Sequence, residues 1–200
     1  MSEHEDRNAR LDSSRGAVAP GKLAHFVLQT SRPEEMVAWY REVLCARVVF
    51  SNEMLAFLTY DDEHHRIAIA GFPGLVDRPE GTAGTDHIAF TYPDLGDLLY
   101  TYERLRRAGI EPFWCINHGP TVSMYYKDPD ANRIELQVDA LTADETDAFL
   151  ASGAFLENPI GVIFDPSDLL SRYRDGEPMA DLLARPPLPE GVSPLEMLRL

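Results

Sequence analysis

Two short stretches of the chain alternate apolar and polar residues in the same way, and each carries a histidine near its start. One reads LAHFVLQT at 23–30 and the other TDHIAFTY at 85–92, so His25 and His87 lie 62 positions apart. Apolar residues with helical spacing recur at the same offset after each stretch. These residues are Met36, Val37, Tyr40 and Val43 in the first copy and Leu98, Leu99, Tyr102 and Leu105 in the second. The repeat indicates two copies of one unit.

Each copy reads as one strand, one helix and three further strands. The first copy predicts strands at 22–30, 46–51, 55–60 and 65–70 with a helix from about Pro33 to Leu44. The second predicts strands at 86–92, 112–116, 122–127 and 133–138 with a helix at 94–108. A segment rich in glycine and proline joins them. The pattern therefore predicts an α+β fold with two paired βαβββ modules, at 22–72 and 84–141.

The two ends of the chain do not follow the repeat. Residues 1–20 are polar and charged, which predicts a disordered N-terminal tail before a domain at 21–141. Residues 142–200 predict a helical C-terminal extension, with a capping-box start at Thr142 and Glu145 and a second helix opened by Asp165 and Pro166. The simplest role for this extension is to cover a sheet edge or to contribute to an oligomer contact.

The charge of the chain excludes several classes of partner. Acidic residues outnumber basic ones by 33 to 18, giving a formal net charge of −15 that repels nucleic acid and anionic membrane surfaces. Cys45 and Cys115 are the only cysteines, which suits a reducing compartment and gives no disulfide framework. No apolar run is long enough to span a membrane. We therefore expect a cytoplasmic protein without nucleic acid or membrane partners.

Strand parity collects three polar side chains on one surface. Side chains alternate across a strand, so Phe26 and Leu28 face the helices while His25 faces the other way. The same parity turns His87 and Glu135 away from their apolar neighbours. A carboxylate on such a surface needs a partner, because burying its charge alone costs several kcal/mol. A divalent cation would supply that partner.

The repeat also shows which position lacks a donor. RIAI at 66–69 aligns with RIEL at 133–136, so Ala68 is the counterpart of Glu135. Two imidazoles and one carboxylate with open coordination positions are typical of non-haem Fe(II) oxygenases. The sequence therefore favours an oxygenase-type iron site over a closed one.

With these residues in view, the chain resembles the vicinal oxygen chelate superfamily, which includes glyoxalases, bleomycin resistance proteins and dioxygenases. Within it, the chain is similar to extradiol catechol dioxygenases of the 2,3-dihydroxybiphenyl 1,2-dioxygenase type. The motifs that carry the resemblance are HHRIAIA at 64–70, NHG at 117–119, SMYYKDP at 123–129 and NRIE at 132–135. The resemblance implies a curved, partly closed mixed sheet around one metal ion.

The resemblance also implies roles for individual residues. The metal, Fe(II) with Mn(II) as an alternative, would be bound by His25, His87 and Glu135.

The catalytic residues implied by the resemblance lie elsewhere in the two modules. His65 would act as the catalytic acid and base, His118 would be a second active-site histidine, and Tyr125 would contact a substrate oxygen. Strict alternation counted back from Ala68 instead places His64 on the inner face, so His64 is kept as a substrate contact.

The function implied is Fe(II)-dependent extradiol ring cleavage of an aromatic diol by dioxygen, in a homodimer or higher homo-oligomer. One alternative is another metal-dependent enzyme of the superfamily, such as an isomerase or a thiol transferase. A second is a ligand-binding resistance protein without turnover. Several apolar residues are candidates for substrate-pocket walls, although a core position is the simpler assignment for most of them: Phe57, Phe113, Trp114, Ile116 and Met124.

Overall fold

A computed structural model describes residues 16–79 and 81–199 of the chain. The first module consists of β1 (Phe26–Thr30), α1 (Pro33–Leu44), β2 (Arg47–Ser51), β3 (Leu55–Thr59) and β4 (Ile67–Gly71). These strands form a sheet in the order β1-β4-β3-β2, in which β1 runs parallel to β4 and the other neighbours are antiparallel. The predicted βαβββ order of this module is confirmed.

The second module repeats this order and gains one strand. It consists of β5 (His87–Tyr92), α2 (Leu95–Arg107), β6 (Trp114–Asn117), β7 (Thr121–Lys127) and β8 (Arg133–Asp139). Its sheet has the order β5-β8-β7-β6-β9, with β5 parallel to β8. The α+β class is confirmed, and the described strands form two mixed sheets with no closed barrel.

The C-terminal extension supplies the additional strand and several helices. Its elements are α3 (Ala143–Ala151), α4 (Gly153–Glu157), β9 (Val162–Ile163), α5 (Pro166–Arg174), α6 (Met179–Leu183) and a 3₁₀ turn at Pro194–Met197. The capping box of Thr142 and Glu145 is present at the start of α3. Strand β9 pairs antiparallel with β6 and thereby covers the outer edge of the second sheet.

The two amphipathic helices bury the predicted stripes. Met36, Tyr40 and Val43 of α1 are fully buried, and the side chains on α2 with the same spacing are at most 3% exposed. Because these helices pack on one face of each sheet, the opposite faces are left for polar side chains. The helices thus fix which side of each sheet can hold a site.

The strand register confirms the internal alignment. In the first sheet Val27 lies opposite Ala68, and in the second Ala89 lies opposite Glu135. Val27 and Ala89 differ by the same 62 positions as the two histidines. Ala68 therefore occupies the place in the first module that Glu135 occupies in the second.

Several strands begin later than the sequence predicts, and two of these shifts bear on the site. Strand β1 begins at Phe26 and β4 at Ile67, so His25 and His65 both lie just before a strand. The predicted N-terminal tail lies largely outside the described residues, and its last part, 16–20, has no helix or strand. Within the described residues, no helix combines the length and the hydrophobicity needed to cross a membrane.

Candidate metal centre and active site

His87 and Glu135 form the centre of the site on neighbouring strands. Strands β5 and β8 are parallel partners, and the His87 Nε2 atom lies 3.0 Å from Glu135 Oε2. The Glu135 side chain is only 6% exposed, whereas that of His87 is 34% exposed. A nearly buried carboxylate is thus paired with an imidazole that still reaches the surface.

Asp86 holds the other nitrogen of the same imidazole. The Nδ1 atom of His87 lies 2.8 Å from Asp86 Oδ2, and Arg133 donates to the second Asp86 oxygen at 3.2 Å. An acceptor at Nδ1 fixes the proton on that nitrogen and leaves the Nε2 lone pair for a cation. This arrangement of a carboxylate behind a histidine is common among metal ligands.

His25 lies at the equivalent place in the first module but has different neighbours. It is exposed, and its ring centroid is 4.4 Å from that of His65. In residues 16–79 and 81–199, no three histidine, cysteine, aspartate or glutamate side chains converge into a group able to hold a metal. The structure therefore brings together two of the three predicted ligands, while the third packs on His65.

The donor chemistry of this site fits a divalent cation. The contact between His87 Nε2 and Glu135 Oε2 joins the two atoms that would bind a metal, so a cation could lie between the nitrogen lone pair and the carboxylate. Ala68 is 2% exposed and offers no donor at the matching place of the other module. His87 and Glu135 could both bind such a cation, which would leave further positions for other ligands.

His65 lies on the same side of the first sheet as His25. Its ring stacks on Phe57 at 4.5 Å with 17° between the planes, and Phe57 lies opposite Ala68 in the register. Burial, followed by the nearby His25 and His64, lowers the pKa of His65. A neutral imidazole at this place can accept a proton.

The structure places His64 outside this cluster. Its side chain is 69% exposed, and its Nε2 atom lies 3.3 Å from Glu63 Oε1. The expectation that alternation turns His64 inward is wrong, because β4 begins at Ile67 and strand parity does not extend back to 64 and 65. His64 still contacts its neighbour, since the two Nδ1 atoms are 2.6 Å apart.

Tyr125 and His118 lie on the other side of Glu135. Tyr125 faces Glu135 across β7 and β8, and its hydroxyl is 3.1 Å from His118 Nε2. Burial and the charge of Glu135 raise the pKa of Tyr125, while burial lowers the pKa of His118. Both groups are therefore neutral at neutral pH, and the tyrosine hydroxyl can donate to the imidazole.

An aromatic wall continues beyond Tyr125. The ring of Trp114 stacks on Tyr125 with 4.6 Å between centroids, and Phe113 lies 6.4 Å from Tyr125. Ile116 is fully buried in a small cluster with Tyr125 and Met197 of the extension. Met124 faces the main core instead, so its candidacy as a pocket wall is wrong.

Some residues around the site were not predicted from the sequence. Asp86 immediately precedes His87, and the carboxylate beside a candidate ligand was an available signal. The carbonyl group of Ile160, which contacts His118 Nδ1, had no such signal because every residue carries a backbone carbonyl.

The comparisons with known proteins define the class. The chain matches the family model described as the glyoxalase/bleomycin resistance protein/dioxygenase superfamily over residues 22–136, and it belongs to that superfamily. The superfamily predicted from the sequence motifs is thereby confirmed.

Two relatives come from Rhodococcus globerulus. The chain is 45% identical over 167 residues to biphenyl-2,3-diol 1,2-dioxygenase 3, a match that takes in 82% of this chain and 88% of that protein. It is 48% identical over 163 residues to biphenyl-2,3-diol 1,2-dioxygenase 2, taking in 80% of this chain and 86% of that protein. Both relatives are thus similar to this chain over most of their length.

A solved structure supports the fold. The crystal structure of a glyoxalase/bleomycin resistance protein/dioxygenase from Nocardioides covers 67% of this chain and 93% of its own, with 19% identity and a TM-score of 0.51. At this identity, the likeness shows a shared fold alone.

Proposed function

We propose that the protein is an extradiol dioxygenase that cleaves the ring of a catechol-type aromatic diol, using Fe(II) and dioxygen. The similarity to two biphenyl-2,3-diol 1,2-dioxygenases over most of the chain supports the reaction class. The observation that carries the site assignment is the pairing of His87 with Glu135, in which Asp86 contacts the other nitrogen of His87. The first module has Ala68 at the position equivalent to Glu135.

Fe(II) is the proposed metal, with Mn(II) as the alternative. When bound, the metal would supply Lewis acidity that favours the ionised diol, and it would pass electron density from the diol to dioxygen. His87 and Glu135 would provide two donors on the second sheet and His25 the third on the first. Burial of Glu135 favours cation binding, because an uncompensated carboxylate is costly to desolvate.

His65 is the proposed acid and base. Its lowered pKa keeps the imidazole neutral, so it can accept a proton from a diol hydroxyl and later return it to an oxygen. Its stacking on Phe57 holds the ring beside His25 on the site face. His64 is proposed as a substrate contact at the exposed rim, where it adjoins His65.

Tyr125 and His118 are proposed to orient the diol from the opposite side. The Tyr125 hydroxyl, kept protonated by burial and by the charge of Glu135, can donate to an ionised substrate oxygen. His118 is neutral and can accept a hydrogen bond through Nε2. The aromatic surface of Trp114 and Phe113 suits an aryl substituent on the diol ring.

Anaerobic reconstitution with Fe(II) tests the proposal. The loaded protein is offered catechol, 3-phenylcatechol, a 3-alkylcatechol and a 4-carboxyalkylcatechol, while oxygen uptake and visible absorbance are recorded. We expect stoichiometric oxygen consumption and a yellow ring-opened product. Iron-loaded protein that consumes no oxygen with any of these diols would contradict the proposal.

A matched pair of variants tests the proton-transfer role. His65→Ala should retain iron but lower kcat by about 10²- to 10⁴-fold, the range of general acid–base catalysis. His64→Ala should have a much smaller effect, because that side chain is largely exposed. Equal losses in the two variants would argue against His65 as the acid and base.

The same assays distinguish the alternatives. A metal-dependent isomerase or thiol transferase would bind metal but consume no oxygen with a diol, and a resistance-type binding protein would take up ligand without turnover. The homodimer or higher oligomer expected from the resemblance is tested separately, by measuring the mass in solution with light scattering.

A further inference from the structure

The loop that carries His118 lies beneath the C-terminal extension. His118 Nδ1 is in hydrogen-bond contact with the carbonyl oxygen of Ile160. A carbonyl oxygen only accepts, so Nδ1 must carry the proton. In the neutral ring Nε2 is then an acceptor, and the hydroxyl of Tyr125 lies 3.1 Å from it. The extension therefore determines which nitrogen of His118 faces the site.

Asn158 shapes the turn that presents this carbonyl. Its side-chain oxygen accepts from the backbone N–H groups of Ile160 at 3.1 Å and Gly161 at 2.9 Å, and its amide nitrogen donates to the Gly161 carbonyl at 2.9 Å. Asn158 is 7% exposed, so these bonds are shielded from water. The side chain satisfies three backbone groups and leaves the Ile160 carbonyl free for His118.

Gly161 allows the turn to approach the His118 loop closely. Its φ is 120°, and a Cβ atom there would lie 2.4 Å from the Asn117 carbonyl oxygen and 2.9 Å from His118 Cα. Any other residue would push the two backbones apart. The backbone of the extension at Gly161 therefore lies directly against the backbone of the His118 loop.

Arg185 connects the extension to the same loop. Its guanidinium donates to the carbonyls of Asn158 at 2.9 Å and Ala154 at 3.3 Å, with a longer contact of 3.5 Å to the carbonyl of His118. It also lies 4.9 Å from the ring centre of Phe149. Each of these hydrogen bonds goes to a backbone carbonyl. The planar guanidinium of arginine carries enough N–H donors to make them at the same time.

The stretch that contains this turn lies within the match to one of the dioxygenase relatives. The match to biphenyl-2,3-diol 1,2-dioxygenase 3 takes in 82% of the 200 residues, so it includes 158–161 wherever it begins. The family model, in contrast, ends at 136. The turn thus lies outside the part that defines the superfamily and inside the part similar to ring-cleaving relatives.

We propose that Asn158 and Arg185 are positioning residues that hold the Ile160 carbonyl against His118. They keep His118 as the Nδ1–H tautomer, with Nε2 available as an acceptor. The row of hydrogen bonds from Tyr125 through His118 ends at a carbonyl, so His118 can gain a proton only at Nε2. The tautomer follows from the geometry alone, whereas its importance for ring cleavage rests on the proposed function.

The tautomer is measurable without any assay of activity. The full chain is labelled with ¹⁵N-histidine, kept free of paramagnetic iron, and examined by long-range ¹H–¹⁵N correlation, with His118→Gln identifying the resonances. We expect a neutral Nδ1–H ring for His118. Observation of the Nε2–H tautomer would overturn the proposal.

Two variants test the positioning residues against a matched control. Asn158→Ala and Arg185→Lys should shift His118 toward the Nε2–H tautomer. Arg174→Lys makes the same change in an exposed extension arginine that contacts Glu103, and it should leave the tautomer unchanged. If Asn158→Ala does not fold, Asn158→Asp keeps the accepting oxygen and should give a smaller shift. No shift in Arg185→Lys, or an equal shift in Arg174→Lys, would contradict the proposal.

Turnover provides a second readout. In the iron-loaded enzyme, Arg185→Lys should lower kcat by at least about 10-fold, with a smaller change in KM. The upper limit is the roughly 10⁴-fold loss that a wrong histidine tautomer causes in a catalytic triad. A wild-type protein with the Nδ1–H tautomer but no ring cleavage would overturn the proposed function and leave the positioning roles intact. Unchanged kcat in a variant with an altered tautomer would show that the tautomer has no catalytic role.

Discussion

The two modules share one fold but present different chemistry at matching positions. The row across the first sheet holds Val27 and Ala68, and the same row across the second holds Ala89 and Glu135. The helices, strand orders and registers agree, so the difference lies in side chains and not in the backbone. The duplication supplies two equivalent positions for a metal-binding side chain, one held by Ala68 and the other by Glu135. The residue at each of them decides how many coordination positions of a metal would stay open.

The residues behind the two histidines differ in the same way. Asp86 precedes His87 and contacts its Nδ1, whereas Ala24 occupies the matching place before His25. Both ring nitrogens of His87 therefore have carboxylate partners. The ring of His25 lies against His65 instead. His87 is thus held by polar contacts, whereas His25 packs on another imidazole ring.

The edges of the two sheets differ as well. Strand β9 covers β6, while its counterpart β2 has all five residues exposed, among them Val48, Val49 and Phe50. The extension therefore covers an edge of the second sheet, which belongs to the module that contains Glu135 and Tyr125.

Removal of the Glu135 carboxylate would make the two modules alike, and it should have the largest effect on iron binding and turnover. In Glu135→Ala the second row becomes apolar like the first, and the site keeps only imidazole donors. Iron affinity should fall by more than the roughly 10- to 100-fold that loss of a partner behind a ligand costs, and turnover should be lost. Metal analysis after gel filtration and oxygen uptake measure both effects.

Asp139→Ala is the control for this experiment. Asp139 is an exposed carboxylate on the same strand, and its loss should leave iron binding intact. Equal iron retention in the two variants would show that Glu135 is not a ligand.

Addition of a second carboxylate would make the modules alike in the opposite direction. Ala68→Glu places a carboxylate in the first module at the position that Glu135 occupies in the second, so metal should be retained while the position needed by substrate or dioxygen is occupied. We expect the rate of ring cleavage to fall by about 100-fold or more if one open coordination position is closed, because even a small misplacement of the reacting groups can cost this much.

The neutral variant Ala68→Gln separates charge from size. Glutamine has nearly the volume of glutamate but is a weaker metal donor, so Ala68→Gln should retain more activity than Ala68→Glu. Equal losses would show that the position tolerates no larger side chain and would remove the evidence for an open coordination position.

Loss of the residue behind His87 should have an intermediate effect. In Asp86→Ala the second module would resemble the first, where Ala24 occupies this place. Fe(II) affinity should fall about 10- to 100-fold, as is typical for loss of a partner that orients a metal-binding histidine. Titration of the metal-free protein with Fe(II) under anaerobic conditions measures the change, and the exposed Asp62→Ala serves as the control. An affinity equal to that of the control would show that Asp86 does not orient the ligand.

Much of this comparison was predictable from the sequence because it follows from periodicity. The spacing of apolar residues determined the helix faces, and strand parity put His87 and Glu135 on one surface. Alignment of the two copies made Ala68 the counterpart of Glu135. These inferences need only local geometry and one internal alignment, so they did not depend on knowing the tertiary contacts.

Other features of the site were not predictable by the same rules. Alternation failed at His65 because that residue lies in the turn before β4, where no strand period applies. In the sequence, Asn158 stands before Pro159, a pair that indicates a local break and nothing more. Its role depends on a backbone carbonyl and on a contact across 42 residues, and neither has a local sequence pattern. Long-range contacts of this kind become visible only in the folded chain.

The smallest expected effect concerns the attachment of the extension to the second module. Gly161→Ala should lower the free energy of unfolding by more than the roughly 1–3 kcal/mol that a residue in an unfavourable backbone region costs, because the new Cβ also meets the Asn117 carbonyl. For a chain of this size, each kcal/mol corresponds to about 2–4 °C in Tm. Thermal unfolding followed by circular dichroism measures the shift.

Gly176→Ala provides the comparison within the same extension. Gly176 has a φ of 79°, so alanine is strained there too, but nothing lies within 4 Å of the added Cβ. The difference in Tm between the two variants therefore reports the close approach of the extension to the His118 loop. Equal Tm values would mean that the loop yields freely to the added methyl group, and the close approach of the two backbones would then contribute nothing measurable to stability.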